Sequence, residues 1–163
     1  MTKKKIIAGG VLILGIVLVA IVFFLEFKKD KVPNESLPAD HVLTMPDGSR
    51  VRVRLASTPG AREEGLSGFK SLPDDQGMLF LFPSAGSYPF WMKDMDFPID
   101  IVWLRHTDAH TLQVVGMKTN FTPDSYPSEY APSDTADAVL EINSGNAAKW
   151  GIGSSPAQIL TYY

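Results

Sequence analysis

The chain has 163 residues and no cysteine, which excludes disulfides, thiolate metal sites, cysteine nucleophiles and a lipidated N-terminal cysteine. Its length suits one small domain with an appendage. The formal net charge of −3 hides an asymmetry, because residues 40–163 carry nine Lys and Arg against fifteen Asp and Glu, a formal −6; so acidic a segment repels nucleic acid and anionic lipid headgroups.

Lys3, Lys4 and Lys5 precede an uncharged run, Ile6 to Leu25, in which fifteen of twenty residues are Ile, Val, Leu or Phe. As a helix with a rise of about 1.5 Å per residue, twenty residues reach about 30 Å, the thickness of the bilayer hydrocarbon. A cleaved signal peptide has a shorter apolar core and a small-x-small cleavage site, whereas this run ends in Phe23-Phe24-Leu25. The run has no polar face, so a soluble buried helix fits less well. Residues 1–5 are therefore expected to be a cytoplasmic tail and residues 6–25 a transmembrane anchor. Lys28, Lys29 and Lys31 follow the span, so the charge rule barely sets its orientation. The very short tail favours an N-terminus inside and the folded domain outside the cytoplasm. Residues 26–40, charged and holding Pro33 and Pro38, read as a linker.

The remainder, 41–163, reads as one β-rich domain. His41 to Met45 is a strand, Pro46-Asp47-Gly48-Ser49 a turn, and Arg50 to Ala56 alternates, with Val51, Val53 and Leu55 toward a core and the three arginines toward water. Thr58-Pro59 opens a short helix that Gly65 or Gly68 ends. Glu63 and Glu64 should point outward, while Arg62 pairs with those acids or turns to a buried carboxylate. Gly77 to Phe82 has no polar face and reads as a central strand. Pro83 to Gly86 is a turn and Tyr88 to Met92 another strand.

The stretch Phe90 to Trp103 follows, where large rings and Pro98 alternate with Lys93, Asp94, Asp96 and Asp100. Within it Ile99, Ile101 and Trp103 share one face, and Asp100, Val102 and Leu104 the other. A carboxylate in that row needs Lys93, Arg62 or backbone N–H groups to satisfy it. Thr111 to Phe121 is a long strand. Thr122 to Ser133, with three prolines, Tyr126 and Tyr130, is an irregular loop of the kind that covers a site. Ala136 to Ile142 is a strand, Asn143 to Trp150 one or two helical turns, and Pro156 to Tyr163 a closing strand. The fold expected is α+β, mainly β: a strongly bent antiparallel sheet or small partly open barrel with two short helices, preceded by one transmembrane helix.

Several motifs in this order carry a resemblance: Leu55-Ala56, Arg62-Glu-Glu-Gly-Leu66, Gly77-Met-Leu-Phe80, Phe90-Trp-Met-Lys-Asp94, Pro98-Ile-Asp-Ile101, and Val139-Leu-Glu141 with Gly145 and Gly151. From about Val51 to Ile159 the chain resembles the bacterial and archaeal family called domain of unknown function 192. The resemblance implies a compact β-rich fold, often behind a signal or anchor, and no established reaction. Ser67 stands where the family more often has methionine, Ser154 where aspartate commonly follows glycine, and Met95 where threonine is more usual.

The ligand-binding candidates are Arg62, Trp91, Lys93, Asp94, Asp96, Asp100 and Glu141. They suit a binding or accessory module of the cell envelope, with aromatic walls and few polar contacts. Against this stands the simpler reading of a structural core with one satisfied ion pair. One alternative is a hydrolase acting on an envelope glycan through two of the carboxylates. Another is copper binding by the Met92 and Met95 thioethers, although methionine is more often core filler. There is no Gly-x-Ser-x-Gly motif, and His41, His106 and His110 should sit in water. Neither a metal site nor a cofactor is expected. The partners expected are the membrane, through the N-terminal helix, and an unknown envelope protein or ligand, with no nucleic acid.

Overall fold

The computed structural model describes residues 41–153 and, by backbone alone, residues 159–162. The proposed tail, span and linker, and Ser154, lie outside them. Among the described residues no helix is long and apolar enough to cross a membrane.

Strands β1 (His41–Thr44) and β2 (Arg50–Ala56) form the expected hairpin, with His41 opposite Val53 and Thr44 opposite Arg50. The Asp47 carboxylate fixes the turn by accepting from the Ser49 amide and hydroxyl, both at 2.8 Å, and Gly48 takes the left-handed conformation there at φ 87°. Helix α1 (Pro59–Glu64) starts as the sequence predicts. The Thr58 hydroxyl accepts from the Ala61 amide at 3.2 Å, and Pro59 holds the first position. Strands β3 (Gln76–Gly86), β4 (Ile99–His106), β5 (Thr111–Phe121) and β6 (Ala136–Asn143) follow, then helix α2 (Asn146–Lys149) and β7 (Ile159–Tyr162).

Six strands make one sheet in the order β1-β2-β3-β6-β4-β5, and β7 pairs with both β5 and β1, so the order returns on itself as a small barrel. The seam is thin: β7 meets β5 at three residue pairs and β1 at two. The sheet is mixed, not antiparallel as expected, because β2 and β3 run parallel. Residues 57–75, with α1 among them, carry the chain back so that β3 starts beside β2 in the same direction, the kind of long crossover a parallel pair requires. The strand expected at Tyr88 to Met92 is also absent. Phe90 makes a single bridge, exchanging two 2.9 Å backbone hydrogen bonds with Tyr130, and neighbouring Pro89 has no N–H to extend it. Nor does β3 turn at Pro83; it continues to Gly86 past a register shift after Leu81.

The strand faces separate as alternation dictates. Leu43, Val51, Val53, Leu79, Val102, Leu104, Leu112, Val114 and Leu140 pack inside the barrel. On the outer face of the central strands, Met78, Phe80, Ile99, Ile101, Trp103 and Val139 form a second core, roofed by Leu66, Leu72 and Met92. The β3–β6 contact beneath that core is close. A Cβ added at Gly77 would lie 2.9 Å from the Glu141 backbone oxygen and 3.0 Å from Ile142 Cγ2. Backbone cannot yield as a side chain does, so Gly77→Ala should cost about 1–3 kcal/mol. A shift in urea midpoint at constant slope would measure it, and an unchanged midpoint would count against this close approach.

Candidate functional site

The second core is incompletely roofed, and a cleft opens where the roof parts. One wall is the C-terminal end of α1 and the residues after it, Arg62 to Ser67. The opposite wall comes from the loop between β3 and β4 and holds Phe90, Trp91, Lys93 and Met95, while Phe80 and Glu141 supply the remaining lining from the sheet. Two polar contacts hold the walls in register: the Gly68 amide donates to the Asp94 carbonyl at 2.8 Å, and the Ser67 hydroxyl to the Lys93 carbonyl at 3.0 Å. Ser67 therefore joins the two walls in this chain, at a position where methionine is the more frequent residue of the resembled pattern. Phe90 is wedged edge-on between Phe80, 5.0 Å away, and Trp103, 6.0 Å away, and the Trp103 indole N–H donates to the Tyr88 carbonyl at 2.8 Å. The cleft holds about 40 Å³, room for about three water-sized groups.

Glu141 sets the chemistry. It lies in β6 opposite Met78 and Ile101, on the apolar outer face. It is 5% exposed, its Oε2 has no hydrogen-bond partner, and burial pushes its pKa from 4.5 up to about 8. A carboxyl in an apolar setting without a donor keeps its proton, because the charged form has lost its water. Arg62 does not relieve it. The guanidinium donates to the Ser57 carbonyl at 2.7 Å and the Leu81 carbonyl at 2.9 Å and lies over the Phe82 ring; it pins α1 to β3 rather than pairing with an acid. Lys93 is exposed at the mouth, its Nζ 5.9 Å from the centre of the Trp91 ring. Trp91, 48% exposed, also meets the Tyr126 ring edge-on at 6.1 Å, so the irregular loop does reach the rim.

Of the seven candidates, the cleft gathers Arg62, Trp91, Lys93 and Glu141. Asp94 and Asp96 stay on the exposed loop, where Asp96 pairs with Lys70 at 2.7 Å. Asp100 lies on the barrel-interior face, opposite Ile142. Backbone alone satisfies it: the amides of Asn120, Gly145 and Ala147 donate at 2.9, 2.9 and 3.0 Å. Glu63 and Glu64 are exposed, as expected, at the rim of the cleft, while Leu66 and Phe80 are lining residues that the sequence did not single out. The Arg62-Glu-Glu-Gly-Leu66 motif was the available signal, but only the crossover brings it over β6. His106 is not surrounded by water as expected, since its Nδ1 lies 2.9 Å from Asp137 Oδ1. Among the described residues, no group of three His, Asp or Glu is placed to hold a metal ion.

Fold and site together define a small, mainly β domain with a short helix and a loop closing over one buried, unpartnered carboxyl. The chain belongs to the domain of unknown function 192 family, described as Uncharacterized ACR, whose profile matches residues 35–156. Several solved structures are similar, among them the following two. A protein from Sinorhizobium meliloti 1021, provisionally labelled a transcription regulator, superposes with a TM-score of 0.65 at 27% identity, over 78% of this chain and 95% of its own. A protein of unknown function from Novosphingobium aromaticivorans does so with a TM-score of 0.63 at 26% identity, over 82% and 94%. No curated protein matches the chain.

Proposed function

We propose that this chain is a binding module of the cell envelope, held at the outer membrane face by residues 6–25, and that its ligand enters the Glu141 cleft. The observation that carries the reading is Glu141 itself. A buried carboxyl without a partner costs the fold stability, and such a group in a cleft is a functional-site signal. The aromatic walls and few polar groups suit binding. Glycan hydrolysis needs two converging carboxyl groups; Asp94, Asp96 and Asp100 are absent from the cleft lining, and Glu63 and Glu64, which join Glu141 in it, are exposed. For copper, Met95 lines the cleft while Met92 is buried in the second core. The acidic domain disfavours nucleic acid.

Two measurements test this. Protease added to intact spheroplasts should degrade the domain, and full protection until lysis would remove the tether. A panel of small polar molecules titrated onto the full chain in detergent should include compounds that move the Trp91 indole resonance in the wild type and not in Glu141→Leu. If no compound distinguishes the two proteins, the cleft has only a structural role.

A further inference from the structure

Taking the cleft to be the binding site, we infer that it is a receptor for a primary ammonium group. The lining points that way. Three carboxyls belong to it, Glu141 buried in β6 and Glu63 and Glu64 exposed on α1, with two cations, Arg62 from α1 and Lys93 from the loop; the excess of acid appears once Glu141 ionises. Arg62 donates to two backbone carbonyls and Lys93 is exposed at the mouth, so neither cation pairs with Glu141. The strand neighbours of Glu141, Met78 in β3 and Ile101 in β4, are uncharged. The α1 wall presents the helix's C-terminal end, where peptide dipoles favour positive charge. Among the aromatic residues lining it, Trp91 offers a ring face that attracts cations, and Lys93 Nζ over that ring already shows one ammonium drawn there. The volume admits an ammonium with one or two carbons and not a sugar ring.

An entering ammonium supplies the partner that Glu141 Oε2 lacks. It also makes the ionised carboxyl favourable, so the Glu141 proton leaves to solvent as the ion pair forms. Binding is thereby tied to pH: below the pKa of about 8, affinity should rise close to tenfold per pH unit and then level off. A free amine and a lysine side chain both carry this group, and the probes separate the two.

The experiment titrates the full chain in detergent with ethylammonium, with N-acetyl-lysine-methylamide and with acetate, following the Trp91 indole resonance from pH 6 to 8.5. Either amine binding about fiftyfold more tightly at pH 8 than at pH 6, and losing that dependence in Glu141→Gln, supports the inference. Preference for ethylammonium marks a small free amine as the ligand, and preference for the lysine derivative marks a polypeptide side chain. Lys93→Gln should tighten amine binding severalfold by removing the competing charge. Acetate binding that Lys93→Gln abolishes, with no amine response, would overturn the ammonium assignment while keeping the cleft as a binding site. If wild-type protein binds none of the three, the assignment falls; that wild-type pH series decides even if Glu141→Gln fails to fold.

Discussion

Asp100→Ala should destabilise the domain by about 5 kcal/mol, a loss comparable to the whole stability of many small domains. The carboxylate is fully buried and accepts from the Asn120, Gly145 and Ala147 amides. Removing it strands three backbone donors, at about 1–3 kcal/mol each. Asn120 and Gly145 are held at φ 49° and 88°, so the same carboxylate ties the end of β5 and the start of α2 to β4. Asp100→Asn keeps one acceptor oxygen but turns an NH2 group toward a donor, and should lose about half as much. Urea unfolding with an unchanged slope would measure both. A loss below about 1 kcal/mol for the alanine variant would show that water replaces the carboxylate and that its role is not structural.

Stability should fall as pH rises from 4.5 to 8, with a slope approaching 1.4 kcal/mol per unit and a total on the order of 5 kcal/mol. The sign follows from Glu141, whose pKa is raised to about 8 by burial in the folded state from an ordinary 4.5. The native protein therefore holds this proton more tightly than the unfolded chain. The contribution is complete below pH 4.5, declines through the window and is gone above pH 8. Asp47 and Asp108, both exposed, are shifted the other way, below 3.8, by hydrogen bonds led by the Ser49 and His110 backbone N–H groups respectively, so they act at more acid pH. Urea midpoints for wild type and Glu141→Gln between pH 5 and 8.5 separate the effect: the variant's profile should be flatter, and it should be the more stable protein at pH 8. Parallel profiles would mean that Glu141 ionises freely.

Two of the four candidate acids, Asp100 and Glu141, look alike in sequence, each flanked on both sides by apolar strand residues. Alternation correctly divided the faces of β4, assigning Asp100 to the side of Val102 and Leu104, because a strand's two-residue period is a local property. The choice between Lys93, Arg62 and backbone as its partner was open, since those groups come from remote segments of the chain. They met only after β5 and α2 were in place, and the backbone amides won.

The sequence by itself determined what neighbouring residues decide: the β1–β2 hairpin through Asp47-Gly48, the Thr58 cap of α1, the alternating faces of β2 and β4, and the family through motifs in fixed order. Only the tertiary structure decided the parallel β2–β3 pairing, the barrel order and the membership of the cleft. Cross-strand register set Glu141 against Met78 and Ile101 on the outer face and Asp100 against Ile142 on the inner. That placement put three backbone donors within reach of one carboxyl and none within reach of the other. Register and crossover depend on contacts between residues far apart in the chain, and no local pattern encodes where such contacts fall.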